Sequence, residues 1–132
     1  MIFKVDNENI EIKNIIFDFN GTIATDGKVS DKTFKKMIEL SKKFNIYILT
    51  ADTFGTVRKI FDDTSIKILI IDKKKDKKYF LEKIGFENTI ALGNGQNDLK
   101  LINKSKIGIG VLGNEGIFTK LILKSDILIK DI

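Results

Sequence analysis

Short apolar runs alternate with helix-length amphipathic stretches along the chain, and several runs end on a residue that carries chemistry or a tight turn. Asn14-Ile15-Ile16-Phe17 runs into Asp18, Asn45 to Leu49 into Thr50, and Thr89 to Leu92 into Gly93. Ile66 to Ile71, Ile107 to Val111 and Ile127 to Ile129 are further runs of this kind. They are continuously apolar rather than alternating, as strands buried on both faces must be. Between them lie helix signals. Ser30-Asp31 precedes Phe34, Met37, Ile38 and Leu40 at helical spacing; others fall at 55–61, Lys77 to Ile84 closed by Gly85, Asp98 to Ile102, and Phe118 to Leu123. Strands separated by such helices predict an α/β fold, three-layer and Rossmann-like, with a mainly parallel central sheet. Ile2 to Val5 and Ile10 to Lys13 predict two extra short strands around a polar turn at Asn7-Glu8-Asn9. Asp26-Gly27 predicts a small hairpin within Thr22 to Val29. The 132 residues are read as one domain, with a motif-bearing core at 14–129 and an addition at 1–13.

The composition removes whole classes of chemistry. There is no cysteine, so disulfides, thiolate metal sites and thiol catalysis are out, and no histidine, so imidazole is neither base nor ligand. Catalysis has to rest on carboxylates, amides, hydroxyls and lysines. No apolar run reaches the length of a membrane span, and Met1-Ile2-Phe3-Lys4-Val5 does not read as a signal peptide, which makes the cytoplasm the expected location. The net charge is +5, with Lys73, Lys74, Lys75, Lys77 and Lys78 inside six residues. Such a cluster serves either as a patch for nucleic acid or phosphorylated substrate, or as a solvated helix start. No aromatic residues are interleaved with it for base stacking, which favours the solvated helix start and argues against nucleic acid.

In parallel α/β sheets, ligands bind beyond the carboxyl ends of the strands. That rule alone selects Asp18, Thr50 and the Gly93-Asn94-Gly95 turn and expects them to converge on one crevice. A carboxylate placed as Asp18 is costly unless it is paired or binds a metal. Gly21 and Thr22 after it can offer backbone N–H groups and a hydroxyl to an anion. Gly93 to Asp98 is a glycine turn rich in oxygen ligands. Hard oxygens with one or two carboxylates, completed by phosphate oxygens, suit Mg²⁺, and a lysine of the cluster would neutralise phosphoryl charge.

These residues also carry a resemblance. Ile16-Phe17-Asp18-Phe19-Asn20-Gly21-Thr22-Ile23 resembles motif I of the haloacid-dehalogenase (HAD) superfamily, Ile48-Leu49-Thr50 motif II, a lysine before the helix ending at Gly85 motif III, and Gly93 to Asp98 motif IV. The motifs occur in order across nearly the whole chain, from about Asn14 to Ile129. Thr50-Ala51-Asp52, Gly93 to Asp98, Ile107-Gly-Ile-Gly-Val and Ser125-Asp-Ile-Leu-Ile are most similar to the phosphorylation domain of P-type ATPases. The segment Thr50-Ala-Asp52-Thr-Phe-Gly is similar to small "soluble P-type ATPase"-like proteins. Only 27 residues separate Thr22 from Thr50, too few for a cap or a nucleotide-binding insert. A cap-less HAD-like domain is therefore expected, without transport activity.

The resemblance implies roles. Asp18 is the nucleophile that forms an aspartyl phosphate; Thr50 and Lys77 assist it. Gly21, Thr22, Thr50, Ala51 and Lys77 hold phosphate. Asp18, the backbone carbonyl of Asn20, Asn94 and Asp98 serve Mg²⁺. Lys77 fits the motif III lysine by its spacing to Gly85, with Lys74, Lys75 and Lys78 as alternatives. Asn20 and Asn94 stand where the superfamily usually has Asp. Without an acid at position 20, a phosphohydrolase or phosphotransferase should be slow on poor leaving groups. Three readings follow: such an enzyme, acting on a phosphorylated small molecule or phosphoprotein; a catalytically weak phosphate-sensing or interaction module on the same fold; and a basic nucleic-acid binder. No membrane partner is expected, and a homo-oligomer is one way to close an open site.

Overall fold

The computed structural model describes residues 1–52 and 55–132. Among the described residues eight strands and five α-helices follow one another: β1 (Ile2–Val5), β2 (Glu8–Glu11), β3 (Asn14–Asp18), α1 (Asp31–Ser41), β4 (Asn45–Thr50), α2 (Thr56–Ile60), β5 (Lys67–Ile70), α3 (Lys77–Ile84), β6 (Thr89–Gly93), α4 (Leu99–Lys104), β7 (Ile107–Val111), α5 (Thr119–Lys124) and β8 (Ile127–Ile129). Strands β3 to β8 form a six-stranded sheet in the order β5-β4-β3-β6-β7-β8, and every neighbouring pair is parallel. The sheet runs outward from β3 in both directions, so β3 is central and all five of its residues are buried.

Side chains alternate across β3. Ile15 and Phe17 pack with Met37 of α1, Val57 of α2, Ile46 and Ile48. Ile16 packs on the other face with Leu49, Ala91, Leu81 of α3 and Leu101 of α4. These two cores make the three layers. Helices α1 and α3 start where the sequence caps them: Ser30 Oγ accepts the Thr33 N–H at 3.1 Å, and Asp76 Oδ1 accepts the Tyr79 N–H at 2.8 Å.

Two local expectations shift. Strand β2 begins at Glu8, and the turn is Asp6-Asn7, whose φ angles of 47° and 68° are both left-handed. That suits a two-residue hairpin in which Val5 faces Glu8. The predicted hairpin at Thr22 to Val29 shrinks to one antiparallel bridge between Thr25 and Lys28 across Asp26-Gly27. No inserted domain interrupts the described residues between β3 and β4. Among the described residues no helix is long and apolar enough to cross a membrane.

Candidate functional site

Strands β4, β3 and β6 are adjacent and parallel, so Thr50, Asp18 and Gly93 end on the same edge of the sheet. A crevice of about 250 Å³ opens there, lined among others by Asp18, Asn20, Thr50, Ala51, Asn94 and Asn97. Gly21 and Thr22 do not line it. The Gly21 N–H donates to Ala24 O at 2.9 Å and the Thr22 N–H to Phe19 O at 3.3 Å, so both are spent inside the turn after β3. These two residues instead line a separate hollow of about 280 Å³ beside Lys28 and Lys130. The Thr22 hydroxyl reaches back to Asp18 Oδ2 at 3.5 Å, the outer limit of a hydrogen bond.

At the base of the crevice lies a buried ion triad. Lys77, in the first turn of α3, places its Nζ 2.8 Å from Asp18 Oδ1 and in contact with Asp98 Oδ1. Lys77 is 5% exposed, Asp18 9% and Asp98 0%. Of the other lysines in the cluster, Lys78 pairs loosely with Glu82 at 3.8 Å, while the backbone N–H groups of Lys74 and Lys75 bind Asp72. Asp98 uses its second oxygen for the glycine turn, accepting from Asn94 N at 3.0 Å and Gly95 N at 2.9 Å. Both Asp98 oxygens are therefore taken by protein donors.

Burial, and after it the Asp98 carboxylate, raise Asp18 from its ordinary 3.8 to about 6, against the lowering pull of Lys77 and the Phe19 N–H. Burial pushes Lys77 down, but the two carboxylates outweigh it and hold the ammonium above its usual range. A carboxyl midpoint of about 6 is expected for Asp18 in metal-free protein, read by carbon NMR of labelled aspartate. A midpoint near the unperturbed value of about 3.9 would overturn this account of the burial.

Thr50 Oγ1 accepts the Asp52 N–H at 3.1 Å, and Asp52 Oδ2 accepts the Val57 N–H at 3.1 Å, which ties the end of β4 to the start of α2. The Thr50-to-Gly55 likeness includes Thr53 and Phe54, which lie outside the described residues. Asn94 donates through Nδ2 to Gly116 O at 3.3 Å and accepts the Phe118 N–H on its backbone oxygen at 2.7 Å. Its Oδ1 has no donor among the described residues.

Sequence reasoning missed Glu115. A Cβ on Gly21 would lie 2.6 Å from Glu115 Oε2 and against the Asn94 amide, so this carboxylate hangs over the turn after β3. The loop Gly113-Asn114-Glu115-Gly116 begins just past the end of β7, after Leu112, and the strand-end rule applied to β7 would have selected it. Gly21 also has a φ of 77°. Gly21→Ala should therefore lose about 1–3 kcal/mol of stability, more than Gly27→Ala, where φ is 73° and the space is open. Urea unfolding of the two variants decides it; equal losses would mean that Asn94 and Glu115 yield freely.

No family model matches the chain. The uncharacterized protein MJ0073 of Methanocaldococcus jannaschii is 45% identical over 64 residues, covering 46% of this chain and 69% of that protein. Among solved structures, a chain assigned as a HAD family hydrolase from Streptomyces avermitilis superposes with a TM-score of 0.73 at 20% identity, covering 91% of this chain and 76% of its own. The 3-deoxy-D-manno-octulosonate 8-phosphate phosphatase of Moraxella catarrhalis, solved with magnesium and phosphate ions and its sugar acid, gives 0.68 at 17% identity over 90% and 76%. The chain belongs to the MJ0073 family and has the cap-less HAD fold. Within that fold Asp18 lies at the end of the central strand, and Lys77 and Asp98 meet it from the first turn of α3 and the turn before α4.

Proposed function

We propose that the chain is a Mg²⁺-dependent phosphohydrolase or phosphotransferase that works through an aspartyl phosphate on Asp18. The observation that carries this reading is the Asp18–Lys77–Asp98 triad at the carboxyl edge of the sheet, with Asp18 lining the crevice. A buried carboxylate with a raised pKa, poised beside a cation in a cleft, is what a functional site looks like physically.

In the first step an Asp18 carboxylate oxygen attacks phosphorus, and the bond from phosphorus to the leaving oxygen breaks. The leaving oxygen takes its proton from water, because the Asn20 amide has none to give at neutral pH. Water then attacks the same phosphorus, releasing phosphate and restoring Asp18. Lys77 neutralises charge on the transferring oxygens. The Thr50 hydroxyl, already accepting from Asp52 N, is free to donate to a phosphate oxygen. Asp98 is a positioning residue: it aims Lys77 with one oxygen and fixes the Asn94-Gly95 turn with the other.

The donors fit a hard cation. Asp18 carries the charge, and the Asn20 carbonyl and Asn94 Oδ1 add neutral oxygens, an all-oxygen set that suits Mg²⁺. The ion would supply charge neutralisation to the phosphoryl group. With Asp98 committed to protein donors, Asp18 is the one charged ligand of this set, so affinity should be low until phosphate adds its own oxygens.

A screen of phosphoesters and acyl phosphates with Mg²⁺, with Asp18→Asn as the control, tests this reading. Phosphate release lost in the control, together with label on Asp18, is the expected result. Stable phosphorylation without turnover would favour the phosphate-sensing module, for which the Asn at position 20 speaks. The absence of label and release in both proteins would end the enzyme reading.

A further inference from the structure

The crevice does not stop at Asp18. A second hollow of about 430 Å³ shares Ala51, Ile71 and Asn97 with it and extends along the start of α3 to Lys73, Lys78 and Lys100. Its two acids are occupied. Asp72 Oδ1 accepts the N–H groups of Lys74 at 2.8 Å and Lys75 at 2.6 Å, which hold its carboxyl below the usual range, and Asp76 caps α3. Lys77 is consumed by the triad. Lys73 and Lys100 form no ion pair among the described residues, and Lys78 is held only loosely. A substrate whose phosphoryl group faces Asp18 would lay its leaving group in this hollow. In a fold without a cap, the walls of the crevice have to do the selecting. The hollow beside Gly21, by contrast, shares no lining residue with the crevice.

We infer that Lys73 and Lys100 form a subsite for a second anionic group, so that the preferred substrates are small phosphomonoesters whose leaving group carries a carboxylate or another phosphate. The inference builds on the enzyme reading above and gives a purpose to the lysine cluster that the triad uses only in part.

The test uses one aromatic scaffold. Turnover of phenyl phosphate, 4-carboxyphenyl phosphate and 1,4-phenylene bisphosphate is compared in the wild type and in Lys73→Gln/Lys100→Gln. Binding of phenylphosphonate and 4-carboxyphenylphosphonate, which cannot turn over, is followed by calorimetry. The compounds with a second anionic group should be favoured by about tenfold in kcat/KM and in affinity, two weak exposed charge pairs acting together. The preference should shrink at high salt and vanish in the double variant, with phenyl phosphate unchanged. The carboxylate and bisphosphate arms tell which anion is preferred. Turnover with no charge preference, or a preference that survives the double variant, overturns the subsite and leaves the enzyme reading intact. Charge-dependent phosphonate binding without any turnover overturns the enzyme reading and leaves the subsite standing.

Discussion

Lys77→Met should cost about 3–5 kcal/mol of folding stability at neutral pH, because the change breaks a buried ion pair from one side only. Methionine nearly matches lysine in length, so little volume is lost. What remains is Asp18, 9% exposed, facing Asp98, fully buried, with no cation between them. In the wild type the folded pKa of Asp18 already lies above its ordinary value, at about 6. A carboxyl raised by folding binds its proton more tightly in the native state, so its contribution to stability is present at low pH. It is lost as pH rises from the unfolded value of about 3.9 through the folded one. Removing Lys77 takes away the principal group that pulls Asp18 down. The loss therefore continues to higher pH, and the variant's deficit should be larger at pH 8 than at pH 5 (two conditions chosen to bracket about 6). Adding Asp98→Asn to Lys77→Met removes one of the facing charges and should recover part of the loss. Urea unfolding of the four proteins of that cycle measures both effects. A small, pH-independent deficit would mean that the ammonium is solvated rather than holding the two acids.

The same triad marks how far the sequence could be read. Six parallel strands were legible as apolar runs that polar helix surfaces interrupt; burial explains the inner runs, while the edge strands β5 and β8 are apolar without being buried. β2 was placed too late because Glu8, Asn9 and Glu11 are exposed on a strand of a two-stranded ribbon, where composition looks like a turn. The crevice was legible in outline, since strand ends alone choose Asp18, Thr50 and Gly93. Its wiring was not. Spacing to Gly85 favours Lys77, but Lys74, Lys75 and Lys78 fit a motif almost as well. Only packing tells that one ammonium reaches under the sheet edge while the others stay at the surface. For the same reason Asp98 reads as a metal residue in sequence and as a hub of protein hydrogen bonds in structure. Glu115 lies seventeen residues beyond Asp98, the end of the fourth motif, and meets Gly21 only through the fold.

Asn20→Asp should raise phosphoester hydrolysis by about 10²–10⁴-fold, the usual worth of a well-placed acid–base group. Asn20 lines the crevice yet is itself exposed, so a carboxylate there escapes most of the desolvation that burdens Asp18. The amide and the carboxylate are nearly isosteric, and the Asn20–Ala24 bridge that sets the turn is made by backbone. The new acid protonates the departing oxygen in the first step and takes a proton from water in the second. Its negative charge also faces Asp18, which favours keeping one proton between the two carboxyls. Alkyl phosphates, whose leaving oxygens need that proton, should gain most in the first step, and acyl phosphates should gain there very little. Single-turnover rates of both substrate types separate this from faster dephosphorylation, which would help both alike. Asn20-Gly21 and Asn94-Gly95 are sequences prone to deamidation, and intact mass must first establish that the wild type has not acquired the same acid by ageing. If the folded variant binds Mg²⁺ and still turns over no substrate, proton transfer is not what the site lacks. A phosphate-sensing role for the Asp18 crevice then becomes the better account.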